Sequence, residues 1–338
     1  MRKIWLLAIA IISFITIISG SLLKKAVAIS LCGIVSLNSF ACNPPLTTSS
    51  QLNSLPPHLQ TDIETIIAAQ TKQFNSVGQF QIAYGPVESE FYKEFQAGLR
   101  DSGALEVLAE TLNSYNLNLP VDVPIVFAEC GQENAFYIKD KQAIVVCMDL
   151  ITAFADLFQA DAPDTSLRES FGKAGQVLVF IVYHEMGHAL VDLLDLPVTG
   201  KEEDAVDELA AVLLLEPDTA ASERAILNTA ISFLLQGQQT VDAKNIAFWD
   251  EHSLDMQRFY NLLCLMYGKY PEKYAALVEK DILPAARAGR CENEYAKKRD
   301  SWYRLLSPHI NDNPPSGGKV DPPSNYPPQN LPNPELLW

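Results

Sequence analysis

His184-Glu185-Met186-Gly187-His188 decides how the rest of this chain is read. On a helix, residues four apart share a face, so both imidazoles could hold one metal ion. Glu185, one residue on from the first histidine, would stand beside the open coordination position and could take a proton from water there. The flanks support a helix: Gln176–Tyr183 before and Ala189–Leu194 after are mostly apolar, and no proline interrupts either. The competing reading is a core helix whose histidines only hydrogen-bond. Apolar flanks bury these polar groups, so they need partners in either case.

A catalytic zinc site takes three protein ligands and leaves one position open. The third comes from Gly200-Lys201-Glu202-Glu203-Asp204-Ala205-Val206-Asp207-Glu208, where Glu203 and Asp207 are again four apart. Glu203 is the expected ligand, with Asp207 one turn on accepting a proton from a ligand imidazole and fixing its ring. Asp204 and Asp207 are the rival ligands. Glu202, Asp204 and Glu208 are expected as solvated acids that favour a helix start. Leu196–Glu202 must bring the chain back to the histidines, and seven residues can span about 23 Å, with Pro197 and Gly200 suited to the turn. Ala205, Ala210 and Ala211 would let this helix pack closely on the first.

Elsewhere the chain reads as a small sheet followed by helices. Gly78–Gly85, Val121–Ala128, Ala135–Ile138 and Ala143–Met148 carry strand signatures, with Lys139–Gln142 turning between the last two. Helical patterns cover Thr61–Asn75, Ser89–Asn116, Asp149–Gln159, Ser170–Asp195, Lys201–Leu215, Thr219–Gln236 and His252–Tyr267, and a short pair ends near Leu306. The fold class is therefore α+β: a small N-terminal β-sheet, then a mainly helical region. The expected organisation is a signal peptide or membrane anchor at 1–41, a linker at 42–60, one domain at 61–306, and a Pro-rich disordered tail at 307–338.

The N-terminus points to export. Lys24 and Lys25, an apolar run, and Ser39-Phe40-Ala41 have the layout of a secretory signal, and the earlier run Ile4–Leu23 is long enough to span a bilayer. Cleavage after Ala41 would leave Cys42 first, in a poor lipoprotein box. Pairing of near neighbours would give disulfides Cys130–Cys147 and Cys264–Cys291 and leave Cys42 single; the alternative is buried free thiols, which an exported protein disfavours. The net charge of −16 removes nucleic acid from the partners, since no basic stripe meets phosphates. Residues 1–41 hold four Lys/Arg and no Asp/Glu, so the remainder is more acidic still.

HExxH followed by ExxxD on a second helix resembles the thermolysin-like gluzincin peptidases. Asn134-Ala135-Phe136-Tyr137 is similar to the edge strand by which those enzymes hold a peptide. The likeness thus implies that Asn134 and Ala135 bind substrate through main-chain hydrogen bonds. The chain also resembles a bacterial family known as putative metallopeptidases. That likeness lies in Cys130-Gly131…Asn134-Ala135-Phe136-Tyr137…Cys147, HEMGHA, Glu203–Asp207, Asp250–Asp255…Arg258-Phe259-Tyr260…Cys264 and Arg290-Cys291…Trp302. Gluzincins stabilise the oxyanion with a late His or Tyr. By position among five histidines His252 is the candidate, with Tyr260 and Arg258 behind it. The resemblance implies a zinc-dependent peptidase with one Zn2+ per chain, ligands His184, His188 and Glu203, base Glu185, and a peptide or protein substrate. The alternatives are a non-catalytic peptide-binding module of the same fold and an intramembrane protease. The intact Glu185 speaks against the first, and Lys173, Asp192 and Asp195 around the motif against the second.

Overall fold

Two strands without polar alternation anchor the sheet. Val123–Ala128 (β2) and Ala143–Cys147 (β4) are buried at every position, as expected for strands covered on both faces. A computed structural model describes residues 52–70, 77–239 and 248–311. The expected signal segment, the first part of the expected linker and the tail beyond 311 lie outside these.

The order is helix Pro57–Gln70 (α1), strand Phe80–Tyr84 (β1), helices Glu90–Ser102 (α2) and Ala104–Asn113 (α3), then β2, strand Ala135–Ile138 (β3) and β4. Among the described residues seven helices follow: Met148–Asp161 (α4), Leu167–Leu193 (α5), Glu202–Leu215 (α6), Ala220–Gln239 (α7), Asp255–Lys269 (α8), Ala275–Glu279 (α9) and Ala285–Leu306 (α10). The sheet runs β1-β2-β4-β3. Its first three strands are parallel, and β3 pairs antiparallel with β4 as an open edge. This is the α+β arrangement read from the sequence.

Side chains alternate across the sheet. Ile125, Phe127, Ile144 and Val146 face the helical core, and Val126, Ala128, Val145 and Cys147 face the other way. That second face is sealed by Leu52, Leu55, Leu59, Ile63 and Ile67. The expected linker is therefore corrected from Leu52 on: leucines at 52, 55 and 59 recur at helical spacing behind a Pro-rich surface, and α1 starts at Pro57. The expected tail starts too early as well. Ser307–His309 forms a 3-10 turn, and the Asn118 N–H donates to His309 O while the Asn311 N–H donates to Asn116 O. The single helix expected over Ser89–Asn116 is broken at Gly103, whose φ of 64° ends α2 and opens α3.

α5 is the central helix, packed on α4, α6, α7 and the sheet. The Ser166 side chain caps its N-terminus by accepting from the Glu169 N–H. At its other end the Leu196 N–H donates to Val191 O and Asp195 adopts φ 50°. This is a Schellman closure that reverses the chain toward α6. Among the described residues α5 alone is long and apolar enough to cross a membrane, but 83% of its apolar window is buried inside the protein. Its apolar faces are already covered by neighbouring helices, so it is a core helix.

Gly187 sets how closely α6 approaches α5. A Cβ there would lie 2.8 Å from Val206 Cβ and 3.4 Å from Val206 Cα. Gly187→Ala should destabilise the fold by about 1–3 kcal/mol through overpacking between two helix backbones. A thermal melt checks this, and an unchanged melting temperature contradicts the close approach. Disulfides join Cys130 to Cys147 and Cys264 to Cys291, with Cα separations of 5.3 and 5.0 Å. The first ties the loop leading to β3 to the end of β4, and the second ties α8 to α10. Cys42 lies outside the described residues.

Candidate metal centre

α5 presents His184 and His188 one turn apart, and α6 brings Glu203 to both. The Nε2 atoms of the two histidines are 3.3 Å apart, and Glu203 Oε2 lies 3.1 Å from His184 Nε2 and 3.4 Å from His188 Nε2. In a tetrahedral site with bonds of about 2.0–2.1 Å, neighbouring ligands stand about 3.3–3.4 Å apart. The triangle has those dimensions. Glu203 Oε2 is buried, and although three imidazole nitrogens surround it, none is aligned to donate a hydrogen bond to it. A buried carboxylate oxygen in that position calls for a cation. Imidazole nitrogens with one carboxylate oxygen are donors suited to zinc.

Each histidine has a carboxylate at its other nitrogen. His184 Nδ1 is 2.8 Å from Asp207 Oδ1, as the i,i+4 relation of Asp207 to Glu203 leads one to expect. His188 Nδ1 is 2.7 Å from Glu202 Oε1. Glu202 stands at the helix start and half in solvent, as expected, and in addition backs His188. Asp207 is itself held by Arg258, which donates through Nε to Oδ2 at 2.7 Å and through Nη2 to Oδ1 at 2.9 Å.

Charge follows this geometry. Burial alone would raise the Glu203 carboxyl, but the imidazoles around it hold it well below the usual carboxylate range. Burial opposes the charged form of Asp207 too, and Arg258 and His184 reverse it, so Asp207 stays anionic. Burial lowers His184 while Asp207 and Glu203 more than offset this, bringing it to about 9. Glu185 is pushed up by burial, against the nearby imidazoles of His184 and His188. A buried carboxylate with raised proton affinity has the character a general base needs.

His252 reaches the site from the loop before α8, not from within a helix as its pattern suggested. Its Nε2 is 3.0 Å from Glu203 Oε2, and its ring lies parallel to that of His184 with centroids 6.4 Å apart. The loop is held firmly. The buried Asp250 carboxylate accepts from the His252 N–H at 2.8 Å and sits 3.1 Å from its Nδ1. Lys201 Nζ donates to the carbonyls of Asp250 and His252, and Ser253 Oγ donates to Asp204 Oδ2. Asp204 thus also has a specific partner. Donor atoms lying within 4.8 Å of one another belong to His184, His188 and Glu203, a set without His252.

Asn134 precedes and Ala135 opens β3, the edge strand of the sheet, which packs against α5. The Cys147 N–H donates to Asn134 O, so the alternation of an antiparallel pair turns the main chain of Ala135 and Tyr137 outward. The Ala135 N–H is covered by the side-chain Oδ1 of Asn134. The Tyr137 hydroxyl donates to Asp192 Oδ2 on α5, which fixes the strand on the helix that carries the histidines.

The structure therefore brings His184, His188, Glu203, Asp207 and His252 to one place, with Glu185 in their field. Sequence reasoning missed Glu202, Asp250 and the seat of Arg258. The Asp250-Glu251-His252 run carried some signal for Asp250, whereas an acidic helix start carries none for Glu202.

A family model described as "Putative metallopeptidase" matches residues 84–306, a span that contains every residue of this site. No curated protein and no solved structure matches the chain.

Proposed function

Because the chain belongs to the family of putative metallopeptidases, we propose that it is an exported, zinc-dependent peptidase with Glu185 as general base. The observation that carries this is the triangle of His184 Nε2, His188 Nε2 and Glu203 Oε2, with 3.1–3.4 Å edges around a buried oxygen that has no aligned donor. Zinc, when bound, polarises the scissile carbonyl and makes the attacking water more acidic. Glu185 accepts the water's proton and passes it to the leaving amine. His252, its Nδ1 side against Asp250, donates from Nε2 to the developing oxyanion. Asn134 and Ala135 align an extended peptide as a further strand on β3, with Asn134 Oδ1 giving up the Ala135 N–H to it. Two disulfides fit an oxidising compartment, and together with the signal-like N-terminus they support export.

Elemental analysis of the gently purified protein should find about one zinc per chain. Lack of any transition metal, even after zinc is added back, contradicts the reading. Loading should also release protons, because His184 in the metal-free protein is held up to about 9 and binds metal only when neutral. Zinc affinity should therefore fall as pH drops below about 9 and His184 takes up its proton, and His188, raised as well, acts in the same direction. Chelator competition across that range checks the sign.

A further inference from the structure

The two histidines of the centre are backed unequally. The Glu202 side chain behind His188 is 47% exposed, whereas the Asp207 side chain behind His184 is 10% exposed. A buried carboxylate in that position is stable only if its charge is matched. Arg258 matches it with two parallel N–H···O bonds of 2.7 and 2.9 Å, and one of them ends on the same Oδ1 that faces His184. The guanidinium cannot swing away. The Arg258 side chain is only 12% exposed, and its far face lies 3.9 Å from the ring of Phe233. Phe233 stands on α7, Arg258 on α8, Asp207 on α6 and His184 on α5, so four helices converge on one imidazole.

We propose that Arg258 is a positioning residue of the metal centre, acting on His184 through Asp207. The fork of the guanidinium fixes both the plane and the charge of Asp207, and the remaining lone pair of Oδ1 then dictates the direction of the His184 Nδ1–H. That in turn aims Nε2 at the point it shares with His188 and Glu203. Lysine cannot do this, since it is a point charge without a fork or a face to stack on Phe233. Glu202, half in solvent and not backed in this way, contributes less.

The proposal rests on the zinc reading but is testable apart from it. A double-mutant cycle uses Asp207→Asn, Arg258→Met and both together, with zinc affinity measured by chelator competition and folding followed by thermal melting. Each single change should weaken zinc by about 10–100-fold. In the Asp207→Asn background, Arg258→Met should change affinity by less than about threefold, because its route to the metal is already cut. Arg258→Lys should not restore affinity, and Glu202→Gln should cost less than Arg258→Met. An Arg258→Met protein with full zinc affinity overturns the proposal. So does an Arg258 effect that persists undiminished in the Asp207→Asn background, the pattern of a purely structural role. If Arg258→Met alone does not fold, comparison of Asp207→Asn with the double variant, which buries no unmatched charge, still decides.

A second readout needs no zinc. In the metal-free protein the His184 Nδ1–H proton should give a slowly exchanging, downfield NMR signal that Arg258→Met shifts or broadens. An unshifted signal overturns the proposal even if zinc binding itself proves absent.

Discussion

Glu185→Gln should retain about one zinc per chain and lose peptide hydrolysis by about 10²–10⁴-fold, the range supplied by a positioned general base. The amide has the shape of the carboxylate but cannot accept a proton. Glu185 is buried on α5 between two candidate ligands, so an isosteric change leaves the helix packing and the donor triangle in place. The experiment incubates wild-type and variant proteins with a mixture of unfolded proteins, counts new amino termini by mass spectrometry, and measures zinc in the same samples. A variant that cleaves at the wild-type rate removes Glu185 from the chemistry. A variant that has lost its zinc shows instead that Glu185 shapes the site.

Glu203→Ala should weaken zinc by more than the ~10–100-fold typical of groups behind a ligand, since it takes away one of three donors. Its neighbour provides the control. Asp204 lies about 100° around the helix and accepts from the Ser253 hydroxyl, so Asp204→Ala should loosen the loop carrying His252 and leave zinc bound. Chelator competition distinguishes the two. The opposite pattern, with metal lost in Asp204→Ala and kept in Glu203→Ala, would rule out the donor set.

The motif helix and the existence of a second acidic helix were legible because each depends on spacing alone. His184 and His188 lie four apart, as do Glu203 and Asp207, and helix geometry turns that spacing into a shared face. Which carboxylate meets which imidazole was less legible. Glu202, Glu203 and Asp204 all suit a helix start, and the choice among them follows from the rotation of α6 about its axis. That rotation is set by the contact of Val206 with Gly187, a tertiary event that leaves no periodic trace. Arg258 was visible only as a rival to His252: it lies 51 residues from Asp207, and no spacing in the sequence pairs the two. The error at α1 came from composition. Pro, Ser and Thr around residue 50 outweighed the spacing of Leu52, Leu55 and Leu59, which continues the buried face of Ile63 and Ile67.

That buried face has a practical consequence for where the domain begins. The family match starts at residue 84, after α1 and at the last residue of β1. A chain shortened to 84–306 would lose the strand paired with β2 and the five apolar residues of 52–67 that lie over Val126, Val145 and Cys147. It would then offer solvent a bare strand edge and an oily sheet, the surface on which copies stack into aggregates. A piece that keeps both faces of the sheet covered therefore needs at least Leu52 to Asn311, and boundaries drawn from the family match alone would yield a protein that precipitates although its candidate metal ligands are all present.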